Sequence, residues 1–160
     1  MNTRQIALSN GGMAIVDECD FDMLSRFNWR TDHYGYVVYN TRRGGQQTTI
    51  KMARMIMLPE PKMDVDHRNR NKFDNRRVNL RACTRRQNLL NKGKGRPASS
   101  RYRGVYWDKV CIKWRSSICE YGRNKYIGIF RDEIDAAMAY DLEAIRCFGE
   151  FASPNFLEAV

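Results

Sequence analysis

The chain has 160 residues, 42% of them hydrophobic, and a net charge of +10, which indicates a small globular protein with a polyanionic partner. No stretch approaches the ~20 apolar residues of a membrane span or has the pattern of a signal peptide, so we expect a cytoplasmic protein. The five cysteines are scattered and form no CxxC pair, which argues against structural zinc and disulfides.

The basic charge is concentrated in one segment. Residues 66–103 contain thirteen Lys or Arg and two acidic residues, whereas the rest of the chain is close to neutral. Such a density is self-repulsive unless phosphates neutralise it, so we expect nucleic acid as the partner and no small-molecule substrate. A solvated basic linker is the alternative, but it would not need the ligand-type side chains that this segment carries.

Residues 1 to about 60 predict short strands and helices. A turn at Asn10-Gly11-Gly12 predicts a hairpin, and apolar spacing from Asp20 to Trp29 predicts a helix. Two further strands, 34–39 and 48–52, are expected around a Gly-Gly turn. The methionine-rich segment 52–58 ends before Pro59, and we interpret its methionines as core residues rather than a cofactor site.

Residues 62–92 carry the chemistry of phosphodiester hydrolysis. His67 follows Asp66 at the end of a predicted strand and is the only plausible general base of the segment. The amide of Asn79 can hold one ring nitrogen of this histidine. Asp66 and Asn88 supply hard oxygen atoms, which favour Mg²⁺ or Mn²⁺ over zinc. Thr84 and a Gln three residues later form a capping box, so a helix should carry Asn88. His33 lacks such neighbours and is interpreted as a loop residue.

Residues 93–100 have the composition of a flexible basic linker, and residues 101–160 predict a second module. Three strands are expected at 102–106, 113–118 and 125–130. Asp132 then predicts the start of a helix with an apolar face that packs on the sheet. The residues of that predicted face are Ile134, Met138, Leu142, Ile145 and Phe148.

The spacing of His67, Asn79 and Asn88, with Asp66 before the histidine, resembles that of HNH endonucleases of phage and intron origin. The resemblance covers residues 50–92. It implies the ββα-metal fold, His67 as general base, Asn79 as its orienting residue, and Asp66 with Asn88 as ligands of one divalent metal ion. One departure is Ala53, because this group commonly carries His-Arg where the chain has Ala53 and Arg54.

Residues 101–156 look like the APETALA/ethylene-response-factor DNA-binding domain, through Tyr102-Arg103-Gly104-Val105, Lys113-Trp114-Arg115 and the closing Asn155-Phe156. The likeness implies that the three-stranded sheet lies in the major groove. Trp114 is either a core residue or a DNA contact, whereas Trp107 is the better candidate for an exposed aromatic. Over the whole chain, the expected DNA contacts are Arg54, Arg76, Arg77, Arg85, Arg103, Trp107, Lys113, Arg115 and Tyr126.

The sequence therefore predicts an α+β protein with a small N-terminal β-rich part, a ββα-metal core, and a three-stranded antiparallel sheet packed on one helix. Residues 1–92 form the nuclease domain, 93–100 the linker and 101–160 the DNA-binding domain. The predicted function is metal-dependent cleavage of double-stranded DNA at a site chosen by the C-terminal domain. The alternative is a non-catalytic DNA-binding regulator with a decayed nuclease core. RNA binding is a third interpretation with less support, because the sheet lacks the adjacent-strand aromatic pattern of common RNA-binding modules. A phage or mobile-element origin in a bacterial host is expected.

Overall fold

The computed structural model describes residues 2–91 and 99–156, apart from the side chain of Arg43. Most of the predicted linker, residues 93–98, lies outside the described residues. The chain divides into two compact units, Met1–Asn88 and Leu89–Val160. Each is an α and β mixture of small antiparallel sheets and short helices. Within the described ranges, no helix is both long enough and apolar enough to span a membrane.

The N-terminal unit contains three small sheets. Strands β1 and β2 form the predicted hairpin, β3, β4 and β5 form a meander in that order, and β6 pairs with β7. Helix α3 follows β7 directly and runs across the division between the units. The elements are β1 (Thr3–Ala7), β2 (Met13–Asp17), α1 (Glu18–Leu24), β3 (Arg30–Thr31), β4 (Val37–Arg43), β5 (Gln46–Lys51), α2 (Met52–Met57), β6 (Asp64–His67), β7 (Leu80–Cys83) and α3 (Arg85–Leu90).

The core of this unit lies around Trp29, which is fully buried. Helix α1 ends at Leu24, earlier than predicted, because Trp29 folds back and donates its indole N–H to the Leu24 carbonyl at 2.8 Å. Met52 is also fully buried, and Met55 and Met57 pack against the same core. The interpretation of these methionines as core residues is therefore confirmed.

The C-terminal unit packs one sheet on one helix. Its strands β8 (Val105–Asp108), β9 (Lys113–Glu120) and β10 (Arg123–Phe130) are antiparallel, with β9 in the centre. Helix α4 (Glu133–Phe148) continues into a 3₁₀ turn at Gly149–Phe151. Its predicted start is confirmed, since the Asp132 carboxylate accepts hydrogen bonds from the backbone N–H groups of Ile134 and Asp135.

The predicted apolar face of α4 is wrong at four of its five residues. Ile134, Met138, Leu142 and Ile145 are exposed, whereas Phe148 packs against the core as predicted. The buried residues of the helix are Ala136, Ala137, Tyr140, Asp141 and Ala144. Both sets recur at helical spacing, so the period alone does not choose between them. Alanines allow the helix axis to approach the sheet more closely than isoleucine or leucine would, and this close packing decides the face.

Candidate functional site

The β6–β7 hairpin and α3 bring the chemistry-bearing residues together. Thr84 and Gln87 form the predicted capping box, with Gln87 N–H donating to Thr84 Oγ1 at 3.2 Å and Thr84 N–H to Gln87 Oε1 at 2.8 Å. This capping box fixes the start of α3 directly after β7, so that the helix lies beside β6. Asn88 therefore reaches the strand, where its Nδ2 donates to Asp64 Oδ2 at 3.0 Å.

His67 is buried at the end of β6, and its Nε2 lies 3.3 Å from Asn75 Oδ1. Asn75 Nδ2 donates to the Lys72 carbonyl, so its oxygen faces the ring. Because an amide oxygen only accepts, the contact places a proton on Nε2. Burial lowers the pKa of His67 below the ordinary 6.5, so the ring is neutral at pH 7. These properties suit a general base.

The orienting amide is that of Asn75 and not the predicted Asn79. Both polar atoms of the Asn79 side chain hold the loop instead: Oδ1 accepts from Asn69 N–H at 3.0 Å, and Nδ2 donates to the Asp74 carbonyl at 2.7 Å. Asn75 is placed by the N-terminal hairpin, since its N–H donates to the Ile15 carbonyl at 2.8 Å. Nothing local distinguishes Asn75 among the asparagines of this loop, so sequence reasoning missed it.

Asp66 does not face the same side as His67. It lies opposite Arg81 across the hairpin and accepts hydrogen bonds from Arg81 Nε and Nη2 on its Oδ2, at 2.9 and 2.8 Å. Both side chains are buried, at 7% and 6% exposure. Asp66 is thus engaged by an arginine, whereas Asn88 contacts Asp64.

A small cavity of about 60 Å³ lies beside His67. Its wall combines the imidazole with the Asp64 carboxylate, the Asn88 amide and three basic side chains, and Asp66 is absent from it. The residues that line it are Tyr36, Lys51, Ala53, Arg54, Asp64, Val65, His67, Arg85 and Asn88. The cavity is the place where a reacting phosphate group and a hydrolytic base can meet.

The electrostatics of this cavity combine one anion with several cations. The hydrogen bond from Asn88 lowers the pKa of Asp64, so this carboxylate is ionised at neutral pH. Burial lowers the pKa of Lys51 and raises that of Tyr36, whose ring lies 3.9 Å from Lys51 Nζ. Such a mixture suits an anionic phosphate with a divalent cation better than either one alone.

The donor atoms at the cavity also fit the metal that the sequence predicts. Asp64 Oδ1 and Asn88 Oδ1 are hard oxygen atoms, and within the described residues neither accepts a hydrogen bond. No group of three His, Cys, Asp or Glu residues forms a metal cluster in the described part of the chain. That finding covers only histidine, cysteine and carboxylate ligands. A metal site made of one carboxylate and one asparagine amide oxygen would not be among such groups.

Two of the predicted DNA contacts have a structural role. Arg76 forms two 2.7 Å hydrogen bonds with the buried Asp74, and Arg77 forms bonds of 2.8 and 2.7 Å with the buried Asp20. Both guanidinium groups thus form internal ion pairs while their side chains stay 37% and 50% exposed, and their contact with DNA stays a prediction. Arg54 and Arg85 line the cavity, where Arg54 Nη1 donates to the Met63 carbonyl at 2.7 Å and Arg85 Nη1 lies 3.3 Å from Asp64 Oδ2.

The open face of the C-terminal sheet differs from the predicted one. Trp107 pairs with Trp114 at a centroid distance of 5.0 Å, and Trp114 packs on the core beneath α4, so both indoles belong to the helix side. Arg103 lies before β8 and donates its backbone N–H to Asn155 Oδ1 at 2.6 Å. Trp107 therefore lies on the side of the sheet opposite the open face, which differs from its predicted exposure, whereas the predicted DNA contact of the Arg103 side chain stays a prediction.

Arg115 and Tyr126 do lie together on the open face. The Arg115 guanidinium carbon is 5.6 Å from the Tyr126 ring centroid, and Tyr106 lies opposite Arg115 across β8 and β9. Arg115 also pairs with Asp108 at 2.8 Å. Lys113, at the start of β9, is half-buried. This face therefore combines aromatic and basic groups, and Tyr106 is a member that is not among the predicted DNA contacts.

Comparison with known proteins identifies the family. An uncharacterized HNH endonuclease of Acanthamoeba polyphaga mimivirus is 31% identical over 151 residues, which span 92% of this chain and 77% of the viral protein. The chain belongs to the HNH endonuclease family. Residues 57–90, which contain β6, β7 and α3, also match the HNH endonuclease sequence profile. The viral source of the relative does not bear on the expected bacterial host.

Two further similarities are partial. The solved structure of the HNH homing endonuclease I-HmuI, described as showing DNA binding and cleavage, has a TM-score of 0.35 and 22% identity and covers 54% of this chain and 46% of its own. APETALA2-like protein 2 of rice, Oryza sativa subsp. indica, is 43% identical over 60 residues, which is 36% of this chain and 14% of the rice protein. The chain therefore spans a small part of that relative.

Proposed function

We propose that this HNH family member is a metal-dependent DNA endonuclease that hydrolyses phosphodiester bonds at the His67 cavity. The observation that carries the proposal is the meeting of a buried, neutral imidazole with an ionised carboxylate, an amide and three cations around one cavity. The consecutive β6, β7 and α3 are the order of a ββα-metal core. A viral relative supports a mobile-element origin.

His67 is the proposed general base. Asn75 holds the ring through Nε2, and the neutral imidazole would take a proton from the attacking water. Lys51, Arg54 and Arg85 neutralise the phosphate and stabilise the charge that grows on it in the transition state. Asn79 acts as a positioning residue, because its amide holds the loop that carries Asn75.

A bound Mg²⁺ or Mn²⁺ ion would supply Lewis-acid stabilisation of the phosphate and of the leaving oxygen. Asn88 is the proposed amide ligand, since its side chain lines the cavity opposite a carboxylate. The resemblance to the HNH group assigns the carboxylate ligand to Asp66. In the structure Asp66 forms a buried ion pair with Arg81, so binding of a metal ion there would have to displace the guanidinium group.

The C-terminal unit is the proposed reader of double-stranded DNA. Its open face presents Arg115 and Tyr126, with Tyr106 beside them, as basic and aromatic groups that can contact phosphates and bases. Tethering the two units in one chain raises the effective concentration of the nuclease near a bound site, so site choice would come mainly from this unit. Arg115→Ala should weaken duplex binding and reduce its dependence on salt.

The decisive experiment separates cutting from binding. His67→Ala should abolish magnesium-dependent nicking of plasmid DNA and leave duplex affinity nearly unchanged. His33→Ala is the matched control, because it removes the chain's other histidine from an exposed loop. Equal loss of nicking and of binding in the His67 variant would contradict the assigned role.

A non-catalytic DNA-binding regulator is the second candidate, and Ala53 favours it. This residue lines the cavity at the position where the HNH group commonly carries histidine. Nicking by the wild-type chain should be compared with nicking by Ala53→His. Activity that appears only in the variant would support the regulator, whereas activity of the wild type with Mg²⁺ supports the endonuclease.

A further inference from the structure

We propose that helix α4 pairs in antiparallel orientation with the α4 of a second copy of this chain. The contact surface is an exposed apolar stripe on the helix, made of Ile134, Met138, Leu142 and Ile145, whose exposed fractions lie between 39% and 67%. Single exposed apolar residues are ordinary on a protein surface, whereas a contiguous row marks an interaction site. The inference goes beyond the proposed function, because it concerns self-association and not cleavage.

The stripe has the geometry of a helix–helix contact. Its members follow one another at intervals of four, four and three positions, which keeps their side chains on one face of an α-helix. The row extends over about three turns, or ~16 Å at a rise of ~1.5 Å per residue. The sheet of the same unit packs on a different face, which contains Ala136, Ala137 and Ala144. Helix α4 thus has two apolar faces, and its own sheet buries only the alanine face.

The stripe is complementary to itself. A two-fold axis at the level of Tyr140 places Ile134 opposite the partner's Ile145 and Met138 opposite the partner's Leu142. The midpoint of each of these pairs lies within one residue of Tyr140, so a single axis satisfies both pairs and their symmetry mates. A second copy therefore supplies the apolar surface that the stripe needs, in register along its whole length.

The charges beside the stripe select the antiparallel orientation. Asp135 and Arg146 are both exposed, and they lie on the same flank of the helix because eleven positions are close to three full turns. The same two-fold axis places Asp135 beside the partner's Arg146, and symmetry repeats this pair. A parallel arrangement would instead place each aspartate beside an aspartate and each arginine beside an arginine, which is repulsive.

Arg146 can serve the partner without leaving its own chain. Its guanidinium group donates to the Glu143 carboxylate at 2.7 and 3.0 Å, and the arginine side chain is still 62% exposed. The contact of one helix face is at the small end of specific interfaces, so we expect a reversible dimer that forms as the protein concentration rises. Such a dimer carries two His67 cavities, the number that a concerted cut of both strands of a duplex requires.

The first test is sedimentation equilibrium of the full chain without DNA. The wild type should show a dimer fraction that rises with concentration. Met138→Lys places a charge at the centre of the apolar contact in each copy and should raise the dimer dissociation constant by about tenfold or more. The matched control is Val110→Lys, which changes a 91% exposed apolar residue in the β8–β9 loop and should leave the constant within about threefold of the wild type. Circular dichroism melting of the dilute variants verifies that each chain folds.

The second test exchanges the flanking charges. Asp135→Arg alone and Arg146→Asp alone should each weaken the dimer, because each change creates two like-charged contacts. The variant with both changes should recover the wild-type dissociation constant, since it restores opposite charges across the two-fold axis.

A wild-type chain that stays monomeric at all concentrations, or a dimer that Met138→Lys does not weaken, would overturn the inference. A double charge variant that dimerises no better than the single variants would overturn the antiparallel orientation. Loss in Met138→Lys and recovery in the double charge variant would together support the proposal. These measurements do not involve DNA cleavage, so their failure is distinct from a failure of the proposed nuclease function.

Discussion

The buried ion pair between Asp66 and Arg81 predicts a large loss of stability when only one of its two charges is removed. At 2.8 Å and an effective dielectric constant of ~20, the attraction between the two charges is about 6 kcal/mol, but burying them costs several kcal/mol per ion. The intact pair therefore contributes little net stability. Arg81→Leu removes the attraction and leaves a buried carboxylate, so we expect the free energy of unfolding to fall by about 3–5 kcal/mol.

The assay needs a probe that is confined to the N-terminal unit. Trp29 is fully buried in the core of that unit, whereas Trp107 and Trp114 belong to the other one. In a chain where these two are replaced by Phe, urea titrations followed by tryptophan fluorescence report on the N-terminal unit alone. The free energy of unfolding is then compared between wild-type background and Arg81→Leu.

Two control variants distinguish the loss of a buried charge partner from the loss of any ion pair. Asp66→Leu combined with Arg81→Leu removes both charges, so it should recover most of the stability lost in the single variant. Glu18→Gln breaks a 3.2 Å ion pair between two half-exposed side chains and should cost less than about 1 kcal/mol. A cost for Arg81→Leu as small as that of Glu18→Gln, or a double variant no more stable than the single one, would refute the reasoning.

Three further predictions concern packing and protonation. Gly104→Ala should cost more than about 3 kcal/mol, because φ is +74° and a Cβ would lie 2.7 Å from a backbone carbonyl oxygen and overlap an aromatic ring. Gly122→Ala, at φ +75° in open space, should cost about 1 kcal/mol. Both costs are measured in urea titrations of a chain that keeps Trp107 and Trp114 and has Trp29 replaced by Phe, so that the fluorescence reports on the C-terminal unit. Leu142→Lys should change the melting temperature little and Ala144→Lys should lower it strongly, since their side chains are 67% and 1% exposed. Burial lowers the pKa of His67, so as the pH falls through about 6.5 the unfolded chain protonates this imidazole before the folded chain does. The free energy of unfolding should therefore decrease with falling pH. His67→Gln should flatten that dependence in urea titrations between about pH 7.5 and 5.5.

Features that depend on local sequence were predictable. The turn of the first hairpin, the capping box at Thr84 and the Asp132 cap of α4 each involve residues within a few positions of one another, and all three occur in the structure. The motif spacing likewise placed His67 at the end of a strand and Asn88 on the following helix. These statements need no knowledge of how distant elements pack.

Features that depend on tertiary contacts were not predictable. The partner of His67 is Asn75 because the Ile15 carbonyl fixes the loop from another part of the chain, and no spacing rule contains that contact. The buried face of α4 depends on how closely the helix approaches the sheet. Spacing within a family motif identifies positions in the chain, but the state of each carboxylate at those positions depends on what the rest of the fold places beside it.

The distribution of charge illustrates the same limit. Within the basic segment 66–103, Arg76, Arg77 and Arg81 balance acidic side chains that are almost fully buried. Each of these charges has an acidic partner within the N-terminal unit, although the side chains of Arg76 and Arg77 are 37% and 50% exposed. A count of basic residues therefore overstates the net positive charge that this segment presents. The cations that line the cavity are fewer, and two of them, Lys51 and Arg54, lie outside the segment that composition alone points to.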